Sequence, residues 1–295
     1  MRCHCGDAAD VNDPFLGSEA LASGVLRKHQ LRSQYKAIYP DVYVRRDLEP
    51  TARERAVGGW LWSHRNGVLA GLTAAAWHGS KWVDEHLPIE LIWSNARSPR
   101  GLRTYDMALV PDELDWVAGL PVTTPGRTAF DIGCRKPMGI AIAHLDALMR
   151  ATGLEVDEIS EIATRHRGAR GLRKLKAALE CVDAGSQSPK ETWLRLLLVR
   201  AGLPRPATQI RVIAAAGNQV YYLDMGWPDL MVAVEYDGEH HRTDRWQYTK
   251  DIRRSEELAR LGWIVVRVVA SDRADDIVRR VRDAVARRNC QQIAI

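Results

Sequence analysis

Hydrophobic and polar positions along this chain change period several times, and each change marks an element. Residues 18–21 and 24–31 read as two short helices broken at Ser23-Gly24, and residues 36–39 and 42–44 as two short strands around a Pro40-Asp41 turn. Helices followed by a small hairpin form the pattern of a winged helix; a small helical cap is the alternative. Residues 51–63 have helical character, Leu72 to Gly79 is a small-residue helix closed by a glycine, residues 89–93 are a strand, and residues 137–149 another helix. Residues 154–183 read as helix, turn, helix, divided by Gly168 and Gly171. Asp183-Ala-Gly-Ser-Gln-Ser-Pro189 has the composition of a linker. After it, Ser188-Pro189 opens a helix whose stripe Trp193, Leu194, Leu197 and Leu198 faces inward. Strands follow at residues 209–213, 220–224 and 230–237, then a helix at 251–261, a strand at 263–269 and a helix at about 275–288. The order is αβββαβ with a closing α.

The prediction is a multidomain α/β (α+β) protein. Its parts are a polar tail over 1–14, a winged-helix-like part over 15–47, a mixed α/β region over 48–150, a basic helical connector and linker over 151–187, and a final domain over 188–295. A length of 295 residues suits at least two domains, and 46% apolar residues suffice for packed cores.

Charge narrows the partners without fixing them. The net charge of +5 permits nucleic acid but does not demand it. On the first helices, Arg27, Lys28 and Arg32 place positive charge where a recognition helix would lie. A second basic run contains Arg167, Arg170, Arg173 and Lys174; it is either a phosphate-contacting patch or a solvated face. Five cysteines without a C-x-x-C pair argue against a disulfide framework and a zinc ribbon, and Cys3-His4-Cys5 lacks a second ligand pair. No stretch approaches the roughly 20 apolar residues of a membrane span, and the first residues lack the apolar core of a signal peptide, so a cytoplasmic protein with no membrane partner is expected. His78, beside Trp77, reads as a packed helix-end histidine.

The chemistry concentrates between Tyr222 and His241. Asp224 ends one predicted strand, and Glu235 and Asp237 stand at alternate positions at the end of the next, on one face. Converging carboxylates repel unless a cation lies between them, and an all-oxygen set suits Mg²⁺ or Mn²⁺, ions that promote phosphodiester cleavage. The alternative is solvated charge near a turn. The apolar run from Leu230 to Val234 and the pair His240-His241 favour the metal site. Asp229, in the predicted turn, is the weaker candidate ligand.

Two family resemblances add to this. The winged-helix start, Leu72-Thr-Ala-Ala-Ala-Trp-His-Gly79 and Thr123-Thr-Pro-Gly-Arg127-Thr-Ala-Phe-Asp131 resemble AbiEi-type antitoxin proteins over residues 15–150. That resemblance implies a winged-helix DNA binder with an appended domain, of the kind associated with phage-defence and toxin–antitoxin loci. The αβββαβ order, with Asp224, Glu235-Tyr-Asp237-Gly238 and His240-His241, resembles the very-short-patch-repair-like branch of the PD-(D/E)XK nucleases over residues 188–272. It implies that Asp224 and Glu235 hold the ion, and that Glu191 on the opening helix is aimed at it. The superfamily's usual lysine position is Asp237 here. That leaves Asp237 as a further ligand, or His240 or His241 as the group that handles the proton. Lys250, Arg254 and Arg267 are candidates to face the phosphate, with pairing to Asp251 the alternative for Arg254.

Two functions compete on this reading. One is a divalent-metal-dependent DNA endonuclease with an antitoxin-like regulatory half, in DNA repair or phage defence; RNA stays open as substrate because no residue reports on a 2′-hydroxyl. The other is a non-catalytic DNA-binding regulator whose nuclease fold no longer cuts. Retention of Glu191, Asp224, Glu235 and Asp237 favours the enzyme.

Overall fold

The computed structural model describes residues 13–95, 97–214, 217, 219–238 and 245–293. The chain divides into two compact units: the residues up to Lys136 with Ala151–Lys176, and Pro137–Arg150 with the residues from Ala177 onward. It is a mixed α+β, multidomain protein.

The first unit opens with β1 (Phe15–Leu16), α1 (Gly17–Ala22), α2 (Lys28–Gln34), β2 (Tyr35–Tyr39) and β3 (Val42–Arg45). The strands form a sheet in the order β1-β3-β2, and Asp41 makes the hairpin turn with φ 61°. Two short helices thus accompany a three-stranded sheet. α2 buries Leu31 and leaves Arg27, Lys28 and Arg32 exposed. Its open carbonyls are satisfied by Arg46, whose Nη2 donates to Arg32 O at 2.7 Å and Tyr35 O at 2.9 Å. Lys36 is tied to Glu49 at 2.6 Å.

Next come α3 (Ala52–Trp62), β4 (Val68–Leu69), α4 (Gly71–Trp77), β5 (Ile89–Ile92), β6 (Leu102–Tyr105), β7 (Leu114–Val117), β8 (Leu120–Thr123) and α5 (Pro125–Arg135). Thr51 caps α3, accepting from Glu54 N at 3.2 Å while Glu54 Oε2 accepts from Thr51 N at 2.6 Å. The sheet order is β6-β5-β4-β8-β7. Leu69, Leu91 and Val122 from its strands, with Ala56 of α3 and Ala74 of α4, form the core. β4, β6, β7 and β8 are not anticipated from the sequence; runs of two to four residues carry little periodicity, although β3 and β5, of four residues each, are anticipated.

α4 begins on a buried acid. Glu90 Oε2 accepts from Leu72 N at 2.9 Å, and Glu90 Oε1 accepts from Lys136 Nζ at 2.6 Å and from Tyr105 Oη at 3.2 Å. A negative charge there suits the positive end of the helix. Gly71 admits it: φ is +55°, and a Cβ would stand 1.8 Å from Glu90 Oε2. Gly71→Ala is therefore expected to cost about 3 kcal/mol, from left-handed strain and displacement of a buried hydrogen-bonded carboxylate. Urea unfolding checks it; a loss below about 1 kcal/mol would contradict the account.

α6 (Met138–Thr152), α7 (Val156–Arg165) and α8 (Leu172–Leu179) follow. Gly171, at φ +97°, makes the turn into α8. It lies so near Cys134 that a Cβ would stand 2.3 Å from the Cys134 carbonyl oxygen.

The second unit is built on α9 (Pro189–Arg200), β9 (Ala207–Ile213), β10 (Val220–Trp227), β11 (Val232–Asp237), α10 (Arg245–Arg260), β12 (Ile264–Val269) and α11 (Ala274–Ile293). The sheet order is β12-β11-β10-β9, antiparallel except for the parallel β11/β12 pair. Leu194 and Leu198 of α9 and Ile277 and Val281 of α11 pack on one face, against Met225, Val232 and Val234; Leu258 of α10 packs on the other, against Leu223 and Ala233. The inward stripe of α9 differs from the one expected. Trp193 is 43% exposed, whereas Arg195 is buried because its Nη2 donates to Asp146 Oδ2 of α6 at 2.8 Å. Asp146 also accepts from Thr192 Oγ1 at 2.8 Å and Asp183 N at 2.7 Å. These bonds draw residues 137–150 into this unit, although the sequence places a boundary at residue 188.

Candidate functional site

β10 does not end at Asp224. It runs on to Trp227, and Gly226 is a strand residue paired with Ala207 and Ala233. Only glycine fits there, since a Cβ would stand 2.2 Å from Val232 O. The turn is residues 228–230, closed by Met231 at φ +50°.

Asp224 instead marks a reversal within the strand. Leu223 packs toward Leu258, yet Met225, two residues on, packs toward Leu194 and Leu198. The β9 ladder pairs Leu223 with Ile210 and Met225 with Thr208, passing over Asp224 and Gln209, and Gln209 has φ +49°. Freed from strict alternation, Asp224 turns along the sheet and accepts from Tyr236 N at 2.8 Å.

This brings it to β11. Asp224, Glu235, Asp237 and Gly238 line one cavity of about 220 Å³, together with Asp251 and Arg254 of α10 and Arg267 of β12. Arg267 stands beside Glu235 in the parallel register. Burial pushes the Asp224 carboxyl up to about 7, reinforced by the negative charges of Glu191 and Glu235, while the Tyr236 amide and Arg254 work against it. Glu235 is buried, and Arg254 grips both its oxygens: Nη1 donates to Oε2 at 3.1 Å and Nη2 to Oε1. Nη2 also donates to Tyr222 O at 2.9 Å. Arg254 thus pairs with Glu235 and not with Asp251. Arg267 Nη2 donates to Ser255 Oγ.

Glu191 closes the start of α9: Oε2 accepts from Gln187 N at 2.7 Å, Oε1 accepts from Ser188 Oγ at 3.0 Å, and Glu191 N donates to Ser188 Oγ at 3.2 Å. Burial raises its carboxyl too. Its charge acts on Asp224, but its oxygens are engaged at the helix end. Among the described residues no three of His, Cys, Asp and Glu gather closely enough to enclose a metal ion. Asp229 is exposed in the turn, away from the cavity. Lys250 lies on α10, which begins at Arg245. His240 and His241 lie outside the described residues, as do Cys3, His4 and Cys5. Arg167, Arg170 and Arg173 are exposed and Lys174 is half-buried. Within the same basic run, Arg165 is engaged by Asp112 and His166 by Glu113. His78 is packed as expected, its Nε2 2.7 Å from Thr123 O.

Sequence reasoning missed Gln209. A left-handed glutamine inside a strand has no sequence signal, since glutamine is unexceptional in a β-strand.

Residues 67–181 match the family model of the AbiEi antitoxin C-terminal domain. This supports the antitoxin-like part of the sequence resemblance. Two uncharacterized proteins of Mycobacterium tuberculosis, one from the Oshkosh strain and one from strain H37Rv, are each 27% identical over 235 residues, or 80% of this chain and 85% of theirs. The crystal structure of the RV2827C protein from Mycobacterium tuberculosis covers 72% of this chain and 87% of its own, at 14% identity and a TM-score of 0.41. No described helix is long and apolar enough to cross a membrane.

Proposed function

We propose that this chain is a DNA-binding regulator of the antitoxin type. The observation that carries this reading is the family match over residues 67–181; the two short helices and three-stranded sheet of residues 15–45, which precede it, suit a winged helix. The DNA-facing element is α2. Arg27, Lys28 and Arg32 are exposed around the buried Leu31, so they are able to reach phosphates without unpacking the wing. Arg167, Arg170 and Arg173 supply a second positive surface.

The test is fluorescence anisotropy with duplex DNA from upstream of its own reading frame, over a range of salt. Each lost phosphate contact lowers the salt slope by about 0.9, so neutralising Arg27, Lys28 and Arg32 together to glutamine should flatten it by roughly 2 to 3. An unchanged slope and affinity would remove α2 from the interface.

A second reading is favoured by the cavity shared by Asp224 and Glu235: the second unit is a divalent-metal-dependent phosphodiesterase. The donor chemistry fits Mg²⁺ or Mn²⁺, which are held through one or two carboxylates with water and substrate phosphate completing the shell. Asp224 and Glu235 would hold the ion, and their mutual repulsion is the force it would relieve. Such an ion polarises the scissile phosphate and acidifies bound water. Of the chain's own groups, Arg254 would pass from Glu235 to the substrate phosphate, with Arg267 beside it. Asp237, on the face of Glu235, would orient the attacking water, and His240 or His241 remains a candidate for moving its proton. The decisive measurement for this reading is plasmid nicking, with duplex DNA as the first substrate and RNA as the second.

A further inference from the structure

Two cavities meet at Asp224. One holds the carboxylates; the other, of about 600 Å³, is lined by Arg150, Gly185, Gln187, Gln209, Tyr222 and Asp224. Packing does not account for the make-up of the second. Tyr222 is 56% exposed on an inner strand of the sheet, while its carbonyl is pinned by Arg254 Nη2 at 2.9 Å. Gln209, across the sheet from Asp224, holds φ +49°, a conformation L side chains seldom adopt unless the surroundings require it. Its Oε1 accepts from Gln187 Nε2 at 2.7 Å, which joins two amides at the cavity wall. Arg150 Nη2 donates to Gly185 O at 3.3 Å and so anchors a guanidinium at the rim.

An aromatic face, a pair of amides and a guanidinium match the three parts of a nucleotide: a base to stack, a base edge to hydrogen-bond and a phosphate to neutralise. We propose that this cavity binds one unpaired nucleotide of a DNA strand, its base on Tyr222, its edge against Gln209 and Gln187, and a phosphate toward Arg150. Bases in a duplex are covered on both faces, so the strand entering here is single, frayed or locally opened. The proposal rests on the phosphodiesterase reading for the path of the strand, which runs from this cavity past Asp224 to the carboxylates.

The experiment titrates the full-length chain, in EDTA, against a single-stranded DNA oligonucleotide carrying 2-aminopurine, whose fluorescence is quenched when it stacks. The wild type should quench it. Tyr222→Ala should lose the quench and bind about tenfold more weakly, and Tyr222→Phe should keep both. Gln209→Gly should weaken binding severalfold while leaving the unfolding midpoint intact or raised, because glycine accepts φ +49° without strain. Quenching by Tyr222→Ala equal to that of the wild type would overturn the proposal. The two readings separate cleanly. Tyr222-dependent quenching without any plasmid nicking keeps the pocket and removes hydrolysis. Nicking that is lost in Asp224→Asn, alongside quenching indifferent to Tyr222, keeps hydrolysis and removes the pocket.

Discussion

Arg127→Leu is expected to destabilise the first unit by about 3–5 kcal/mol, the cost of breaking a buried ion pair from one side. Arg127 is fully buried on α5, and its guanidinium is shared among three acceptors. Nη1 donates to Glu113 Oε2 and to Ala108 O at 3.1 Å, and Nε donates to Asp131 Oδ1 at 3.3 Å. Glu113 and Asp131 are themselves buried. Without Arg127, Glu113 keeps only the contact from His166 Nε2, at 2.6 Å, and Asp131 keeps Arg135 at 2.8 Å. Burial already pushes the Asp131 carboxyl up, against the pull of Arg135 and Arg127, so losing one of the two cations strengthens that push. Leucine fills part of the volume but satisfies none of the acceptors. Arg127→Lys should recover little, since a single ammonium does not reproduce the forked geometry. Urea unfolding measures this, with the two units followed separately because two-state behaviour does not extend to multidomain chains. Glu113→Gln alone should cost less, and its combination with Arg127→Leu less than the sum, because the two residues share one bond network. Additive losses would show that Arg127 acts by packing alone.

This network also marks how far the sequence could be read. The Arg127–Asp131 pair, one helical turn apart, follows from spacing and is present. Glu113 does not follow, because it arrives from a short turn fourteen residues upstream and nothing local distinguishes it from a surface acid. Glu90 is a similar case: an acid inside Ile-Glu-Leu-Ile reads as an outward strand position, yet it is buried beneath α4 and tied to Lys136. Most helices, the strands of five or more residues and the four-residue β3 and β5 are legible, including the whole order of the second unit. Its acids were legible as a set, because three carboxylates interrupt an apolar run. Their arrangement was not. Period-two reasoning puts Asp224 at a strand end, whereas a left-handed Gln209 on the neighbouring strand lets β10 reverse its faces there. Nor does spacing reveal that Arg254 already neutralises Glu235, or that Glu191 is drawn to its own helix start, since both depend on contacts closed by the fold.

Removing either shared acid should separate activity from stability. If the second unit cuts DNA, Asp224→Asn and Glu235→Gln should each reduce nicking of supercoiled plasmid in Mg²⁺ or Mn²⁺ by roughly a thousandfold, the scale of losing a principal electrostatic contact in the transition state. Wild-type nicking should climb as pH rises through about 7, where the Asp224 carboxyl loses its proton and becomes a competent ligand. Stability should run the other way. A carboxyl raised above its unfolded value contributes most below that unfolded value, and the contribution is lost as pH rises through the folded value. For Asp224 the loss spans from about 3.8 to about 7. Asparagine keeps an oxygen to accept from Tyr236 N but brings no charge against Glu191 or Glu235. Asp224→Asn should therefore unfold at a higher temperature than the wild type at pH 8, by a margin that shrinks toward pH 5. A wild type that leaves plasmid intact with both ions would end the hydrolytic reading and leave the regulator. A variant that unfolds earlier than the wild type at pH 8 would mean that Asp224 is not under electrostatic strain, and with that strain would go the physical reason for a cation to bind between these strands.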